Sequence, residues 1–446
     1  MSDPGWADAP GAREGEADRA LAASLAGAGL AVQVVPPPDP PAGRCGVLGW
    51  ADSGAMWLTG RPGEPPAWPP GDVVGRLEAA GRALSALAAG TGAGVAVDAG
   101  GLLGARAGWR GWARRGPISA GGRSRLLAAA DGWVAVTLSR PTDVASVPAL
   151  VGDDGAGAAD GRTRSWGRVA AWARCHPAAA VASRAQLLGV PAGPVPPGRA
   201  RPVAPWTVTR LGPASDRRRD RPLVVDFSAM WAGPLCAHLL GRAGARVVKV
   251  EDPARPDAAR LGDRRLFDLL HQGHESVSVA FTTPDGRDEL RRLVAEADVV
   301  IEASRPRALE ALGFAPAAFC AARPGRTWVS ITGHGRRGPR ANWVAFGDDA
   351  AAAGGLVARD RRGDPVFCAD AAADPVSGLY AAVGALASLS AGGGHLVDCA
   401  MARAAAYAGA GASCRRPHGV EHDGEGWVVA HLDRAGGSAR VRQPCP

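Results

Sequence analysis

Apolar positions in the second half of the chain fall into short runs separated by amphipathic stretches. Leu223 to Phe227 has the length and composition of a buried strand, and Ser228 can cap the helical stretch after it. Leu235, Leu239 and Leu240 keep helical spacing, the break from Gly241 to Gly244 ends that helix, and Arg246 to Val250 is a second strand closing on Glu251. Strand, helix and strand in this order predict a right-handed βαβ unit, hence a parallel sheet with ligands at the carboxyl ends of its strands. The alternation continues with a strand from Ser276 to Phe281, a turn Thr282 to Gly286 opening a helix Arg287 to Ala295, and a strand Asp298 to Glu302. A short helix Ala308 to Leu312 and a strand Thr327 to Thr332 then run into Gly333-His-Gly335. The expected fold class is α/β, with a Rossmann-like, parallel, doubly wound large domain over residues 221–410 and a smaller α+β domain before it.

The first half is less regular. Residues 1–44 read as a flexible lead-in with a helix around Ala20 to Leu25 and five prolines between Pro36 and Pro41. Residues 45–200 read as a partial copy of the later half that also includes the small domain. Gly49 to Gly60 leads through Asp72 and a helix, Arg76 to Ala88, to Val97-Asp98; Phe346 to Leu356 leads through Asp374 and a helix, Gly378 to Ala391, to Val397-Asp398. Both are expected to end in a glycine-rich turn and a short strand, an internal repeat of low identity. A circular permutation accounts for the same order of parts. Asp131-Gly132 before an apolar run signals a hairpin, and Trp166 to Cys175 and Ala178 to Leu188 read as helices. Residues 201–220, rich in proline and arginine, read as a linker, and residues 411–446 as a tail whose hairpin turns at Ala435-Gly-Gly437.

Composition narrows the partners. The net charge of +8 is carried by arginine, since Lys249 is the one lysine, and no basic run is interleaved with aromatics. Nucleic acid is therefore not expected, while a polyanionic small ligand suits the charge. Eight scattered cysteines, with no C-x-x-C pair and no His/Cys cluster at metal spacing, predict reduced, mostly buried thiols and no metal. Neither a signal peptide nor an apolar run of spanning length is apparent, so the expected location is the cytoplasm, without membrane attachment.

The first βα turn, Trp231-Ala-Gly-Pro234, lacks the G-x-G-x-x-G cradle of a dinucleotide fold. Val224-Val-Asp-Phe-Ser228, Ala232-Gly-Pro234 and Gly244-Ala-Arg-Val-Val-Lys-Val-Glu251 instead resemble the opening of the family III CoA-transferases. The likeness continues through Thr283-Pro-Asp-Gly286, Ala297 to Glu302, Arg305-Pro306, Ala308 to Gly313 and Val329 to Gly333.

That resemblance implies a catalytic aspartate at Asp374, where Asp374-Pro-Val-Ser-Gly378 keeps the family's glycine four residues on. A carboxylate there can attack a thioester carbonyl; read from the residues alone, it is a helix cap. Asp72 holds the equivalent place in the first copy, with Arg76 in the glycine position. Asp348 and Asp349 are explained by a helix N-terminus unless they face the cleft. Gly333 and Gly335 offer backbone N–H groups to an oxyanion or the ligand, with His334 between them. For coenzyme A, Arg305 is retained from the family pattern, Arg260, Arg264 and Arg265 could meet phosphates, and His274-Glu275 replaces a cationic pair. Phe346 stands where the racemases of the family carry histidine, and Trp231 where transferases often carry glutamine.

The implied activity is transfer of CoA between carboxylic acids through an aspartyl covalent intermediate. Acyl-CoA and a small carboxylic acid are the expected substrates, no cofactor is expected to be bound permanently, and the family's homodimer is an arrangement the sequence leaves open. The alternatives are a 2-methylacyl-CoA racemase, disfavoured by Phe346, and a non-catalytic acyl-CoA-binding relative.

Overall fold

The chain alternates apolar residues across thin strands, so that neighbours in sequence feed different cores. The structure, a computed structural model, describes residues 15–30, 45–153, 161–198, 203–217, 219–262, 264–414, 416–432 and 437–445. In chain order, β1 (Ser124–Ala129), β2 (Gly132–Thr137) and β3 (Ala192–Val195) make a small antiparallel sheet. Helices Gly161–Ala173 and Ala178–Leu187 cover one of its faces, closing a core around Val134, Val136, Trp166 and Val181.

The large sheet comes next: β4 (Thr207–Arg210), β5 (Leu223–Asp226), β6 (Arg246–Glu251), β7 (Glu275–Ser278), β8 (Val299–Glu302), β9 (Thr327–Thr332) and, after the short hairpin β10 (Val357–Arg359) and β11 (Pro365–Phe367), β12 (His395–Ala400). Their spatial order is β4-β12-β9-β8-β5-β6-β7. β5 and β6 lie side by side and parallel, joined by helix Ala232–Arg242, as the βαβ pattern predicts. Val224, Val299 and Ile301 face helices Ala232–Arg242 and Ala373–Ser390, while Val225, Val300 and Trp328 face Leu290 and Phe319 of helices Pro284–Glu296 and Pro316–Ala322. Layers on both faces make the doubly wound α/β fold.

Two sequence expectations change. The stretch read as a linker supplies β4, which pairs antiparallel to β12, so one edge of the sheet is not parallel. Thr207-Val-Thr suits a strand, and β12 offers an edge with unpaired backbone groups. Val97-Asp98 forms no strand: Ser85 Oγ donates to the Val95 carbonyl (2.5 Å), and Asp98 Oδ1 accepts from Gly101 N–H (2.9 Å). Helix Val73–Ala89 shares one core with helix Ala373–Ser390. The lead-in helix spans Glu16–Gly27; Pro36–Pro41 and most of the turn at Ala435 lie outside the described residues. The tail forms a third sheet of β13 (His418–His422), β14 (Trp427–His431) and β15 (Ser438–Arg440), ordered as numbered. No described helix is long and apolar enough to cross a membrane.

Candidate active site

Asp374 lies in the first turn of helix Ala373–Ser390, after Ala372, and no side chain caps this helix. The carboxylate therefore does something other than capping. It faces the Gly347 backbone N–H, and a Cβ at Gly347 would stand 2.3 Å from Asp374 Oδ2. Only glycine leaves that approach open. Gly378 has a separate purpose: its Cβ would meet the Ala232 carbonyl at 2.6 Å, so it lets the Asp374 helix lie close against helix Ala232–Arg242.

Around Asp374 stand two further carboxylates and one guanidinium. Arg106 Nε and Nη2 donate to Asp370 Oδ2 and Oδ1 at 2.8 and 2.6 Å. The same guanidinium lies 4.8 Å from the Trp231 ring centre and 5.6 Å from that of Trp112. Asp348 Oδ2 accepts from Ser124 Oγ (2.9 Å) and Oδ1 from the Ala371 N–H (3.1 Å). Burial pushes Asp374 up to about 7; Arg106 pulls it down, and the charges of Asp348 and Asp370 push it up again. Asp348 is likewise raised by burial and then by Asp370. Burial opposes the Arg106 charge, and the pairing with Asp370 more than offsets this, raising it. Burial above all, with three acids against one cation, brings the proton equilibrium of Asp374 to about pH 7.

Backbone strain gathers at the same place. Ala369 and Ala371, on either side of Asp370, have φ of 56° and 45°, and Met230, before Trp231, has 75°. These are the non-glycine residues with positive φ among those described. Each has a visible restraint. Ala369 N–H donates to Thr59 Oγ1 (3.2 Å), Ala371 N–H to Asp348 Oδ1 (3.1 Å), and Met230 N–H to Asp257 Oδ1 (3.0 Å). Asp257 is held in turn by Lys249 Nζ at 3.0 Å, so the one lysine positions the Trp231 turn.

The other sequence candidates lie apart from this cluster. Gly335, with φ of 100°, lines a separate 880 Å³ cleft with His334, Arg336, Arg340 and Arg403. Its N–H already donates to Thr332 Oγ1 (2.8 Å), and Gly333 packs on Ala345, which a Cβ would approach to 2.6 Å. Burial, helped by Arg340, lowers His334 to about 4, so it is a neutral ring against Trp343. Arg260 is engaged bidentately by Glu251 (3.0 and 2.5 Å). Arg305 is exposed beyond the end of β8, its pKa lowered by partial burial and by the charges of Arg307, Arg140 and Arg255. That is a concentration of positive charge. Asp349 is separated from its neighbour Asp348: it accepts from the Phe346 N–H (3.0 Å) and Thr137 Oγ1 (2.9 Å), and burial raises it to about 8. Asp72 repeats the Asp374 arrangement beside Gly46, whose Cβ would lie 2.5 Å from its Oδ1, and burial raises it to about 6. Its cation is Arg76, which also bonds the Ala410 carbonyl (3.1 Å).

Sequence reading did not find Arg106, Asp370 or Trp112. The i, i+4 pair Asp370/Asp374 was the available signal; nothing in Gly104-Ala-Arg-Ala-Gly108 marks an arginine that crosses to the other half.

Residues 222–424 match the family model described as CoA-transferase family III. The succinyl-CoA–D-citramalate CoA-transferase of Chloroflexus aurantiacus is 32% identical over 201 residues, covering 41% of this chain and 50% of that protein. The formyl-CoA:oxalate CoA-transferase of Escherichia coli is 30% identical over 175 residues, covering 37% of this chain and 42% of that protein. The solved structure of Rv3272 from Mycobacterium tuberculosis aligns with a TM-score of 0.43 and 27% identity over 50% of this chain and 66% of that one. The chain spans about half the length of the curated relatives it matches. The βαβ unit, the Trp231-Ala-Gly-Pro234 turn and the Asp374 helix all lie inside the stretch, residues 222–424, that is similar to CoA-transferase family III.

Proposed function

We propose that this protein transfers CoA between carboxylic acids, with Asp374 as covalent nucleophile. The observation that carries the reading is a carboxylate raised to about 7, facing a backbone N–H and the field of Arg106. An Asp374 oxygen attacks the acyl-CoA carbonyl; the C–S bond breaks, leaving a mixed anhydride and CoA thiolate. The thiolate returns to the aspartyl carbonyl, releases the donor acid as its carboxylate and leaves an aspartyl-CoA thioester. The acceptor carboxylate attacks that thioester, and thiolate attack on the acceptor side of the second anhydride gives the new acyl-CoA and restores Asp374. Arg106, two of whose donors are held by Asp370, keeps a fraction of Asp374 ionised through its charge. Arg305, with Arg255 and Arg307 beside it, supplies the positive field for CoA phosphates. Arg260, engaged by Glu251, contributes to CoA only by exchanging that partner.

Succinyl-CoA and formyl-CoA, named for the relatives above, are the first donors to test. Intact-mass measurement after incubation with each should show an adduct that hydroxylamine removes, and Asp374→Asn should form none. An adduct of unchanged yield on Asp374→Asn would move the nucleophile elsewhere, with Asp72 next in line. Absence of any adduct or exchange across a panel of acyl-CoAs would favour a binding-only relative.

A further inference from the structure

We propose that Cys45, Cys414, His418 and His431 bind one zinc ion, a site at the C-terminal edge of the matched family segment and independent of the proposed chemistry. One ligand atom from each of the four residues lies within 4.8 Å of all the others. In a zinc tetrahedron with S and N ligands the corresponding edges are about 3.3–3.8 Å, so side-chain adjustments of under about 1 Å close the set. Cys45 Sγ is already 3.2 Å from His418 Nε2. His431 is 8% exposed, and its Nδ1 is buried with no hydrogen-bond partner among the described residues. An imidazole nitrogen of that kind is costly unless something ligates it.

The fold builds this constellation rather than leaving it to chance surface encounters. His418 opens β13 and His431 closes β14, and the two are direct cross-strand partners, so both rings project from one face with centres 4.2 Å apart. Cys414 precedes His418 by four residues, and Cys45 stands immediately before helix Gly46–Asp52. Gly46 permits the approach: a Cβ there would meet the Ser413 carbonyl at 2.8 Å. Two thiols and two imidazoles, with no carboxylate among them, are a donor set for zinc rather than for calcium or magnesium. The need is structural. Within the strands of the C-terminal sheet, Val429 and His431 are the buried residues, too small a core for three short strands to hold themselves. A metal would staple this sheet to the first half of the chain, beside Asp72, with two thiol protons released on binding.

The test uses the full chain. Elemental analysis of protein purified with zinc in the medium should give one zinc per chain, and stripping it with a chelator should lower Tm. Titration of the stripped protein with Co2+ should saturate at one equivalent, with thiolate-to-cobalt charge-transfer absorption and intense tetrahedral d–d bands. Cys414→Ser and His431→Gln should each weaken Co2+ binding at least tenfold; if either fails to fold, the wild-type cobalt spectrum decides alone. Substoichiometric zinc after reconstitution, an octahedral or thiolate-free cobalt spectrum, a Cys45–Cys414 disulfide in place of metal, or unchanged affinity in both folded variants would overturn the proposal.

Discussion

Arg106 and Asp370 stand 264 positions apart in the chain, yet meet in a two-point hydrogen bond of 2.8 and 2.6 Å. Asp370 is 1% exposed, so the arginine is the partner that makes its burial tolerable. Arg106→Met should destabilise the protein by about 3 kcal/mol, chiefly by orphaning that carboxylate. Adding Asp370→Asn should restore most of the loss. Urea unfolding of both variants checks this, and a double variant no better than the single would show the pair to be dispensable.

Asp374 should govern the acid limb of activity. With its carboxyl near 7, transfer should rise about tenfold per pH unit below that value and level above it. Because Arg106 holds the group down, a folded Arg106 variant should move the limb to higher pH, which a purely structural arginine would not do.

The same group makes a statement about stability. Its folded pKa lies above the ordinary value of 3.8, so the native state binds the proton more tightly than the unfolded chain. That contribution is present below about pH 4 and is lost as pH rises through about 7. Asp374→Asn, which cannot ionise, should therefore raise Tm at pH 8 and have little effect at pH 4. Equal shifts at both pH values would contradict the raised pKa. On the proposed function, the variant should also lose transfer by on the order of 10³-fold or more.

Gly378→Ala should cost about 1–3 kcal/mol, because the added carbon meets the Ala232 carbonyl at 2.6 Å and Leu235 Cβ at 2.9 Å. Gly167, exposed within helix Gly161–Ala173 with nothing within 4 Å of an added Cβ, is the control. Gly167→Ala should stabilise by about 0.5–1 kcal/mol. Thermal melts of the two variants should move in opposite directions.

Arg305→Ala should weaken CoA binding roughly fivefold, with the difference shrinking at high salt, as expected of an exposed cation. Calorimetry at two ionic strengths reads both effects. Unchanged affinity would place the phosphates elsewhere, with the arginine-lined cleft beside Gly335 the next candidate.

What could be read from the sequence was local. The β5–helix–β6 unit announces itself through Leu223 to Glu251, since both strands alternate between two cores and leave apolar runs. Asp374 stands out through the family resemblance, by the glycine four residues on; in the structure that Gly378 serves packing against Ala232, so the residues alone speak only of a helix start. Arg106 was not legible, because an arginine's destination depends on tertiary placement and not on its neighbours in the chain. The Cys45–Cys414–His418–His431 grouping was missed for a related reason. Two of its members are set by the register of β13 on β14, Cys414 lies four residues before that strand pair, and Cys45 arrives from the far end of the chain. β4 hid in a proline- and arginine-rich stretch whose four strand residues carry no buried side chain.

β4 has a consequence for how the molecule behaves in company with its own copies. It covers four of the six residues of β12, from His395 to Asp398, on the side away from β9. Without it, the rim of the large sheet would end in unpaired N–H and C=O groups on a run containing Leu396, Val397 and Cys399, all buried in the intact chain. Such a rim is a template for intermolecular strand pairing. β4 is anchored at both ends: Trp206 before it is buried in the main core, and after it the Leu211 and Ser215 N–H groups donate to the Gly394 and Gly392 carbonyls (both 2.8 Å). These anchors keep the rim of the large sheet closed to strand pairing with a second copy.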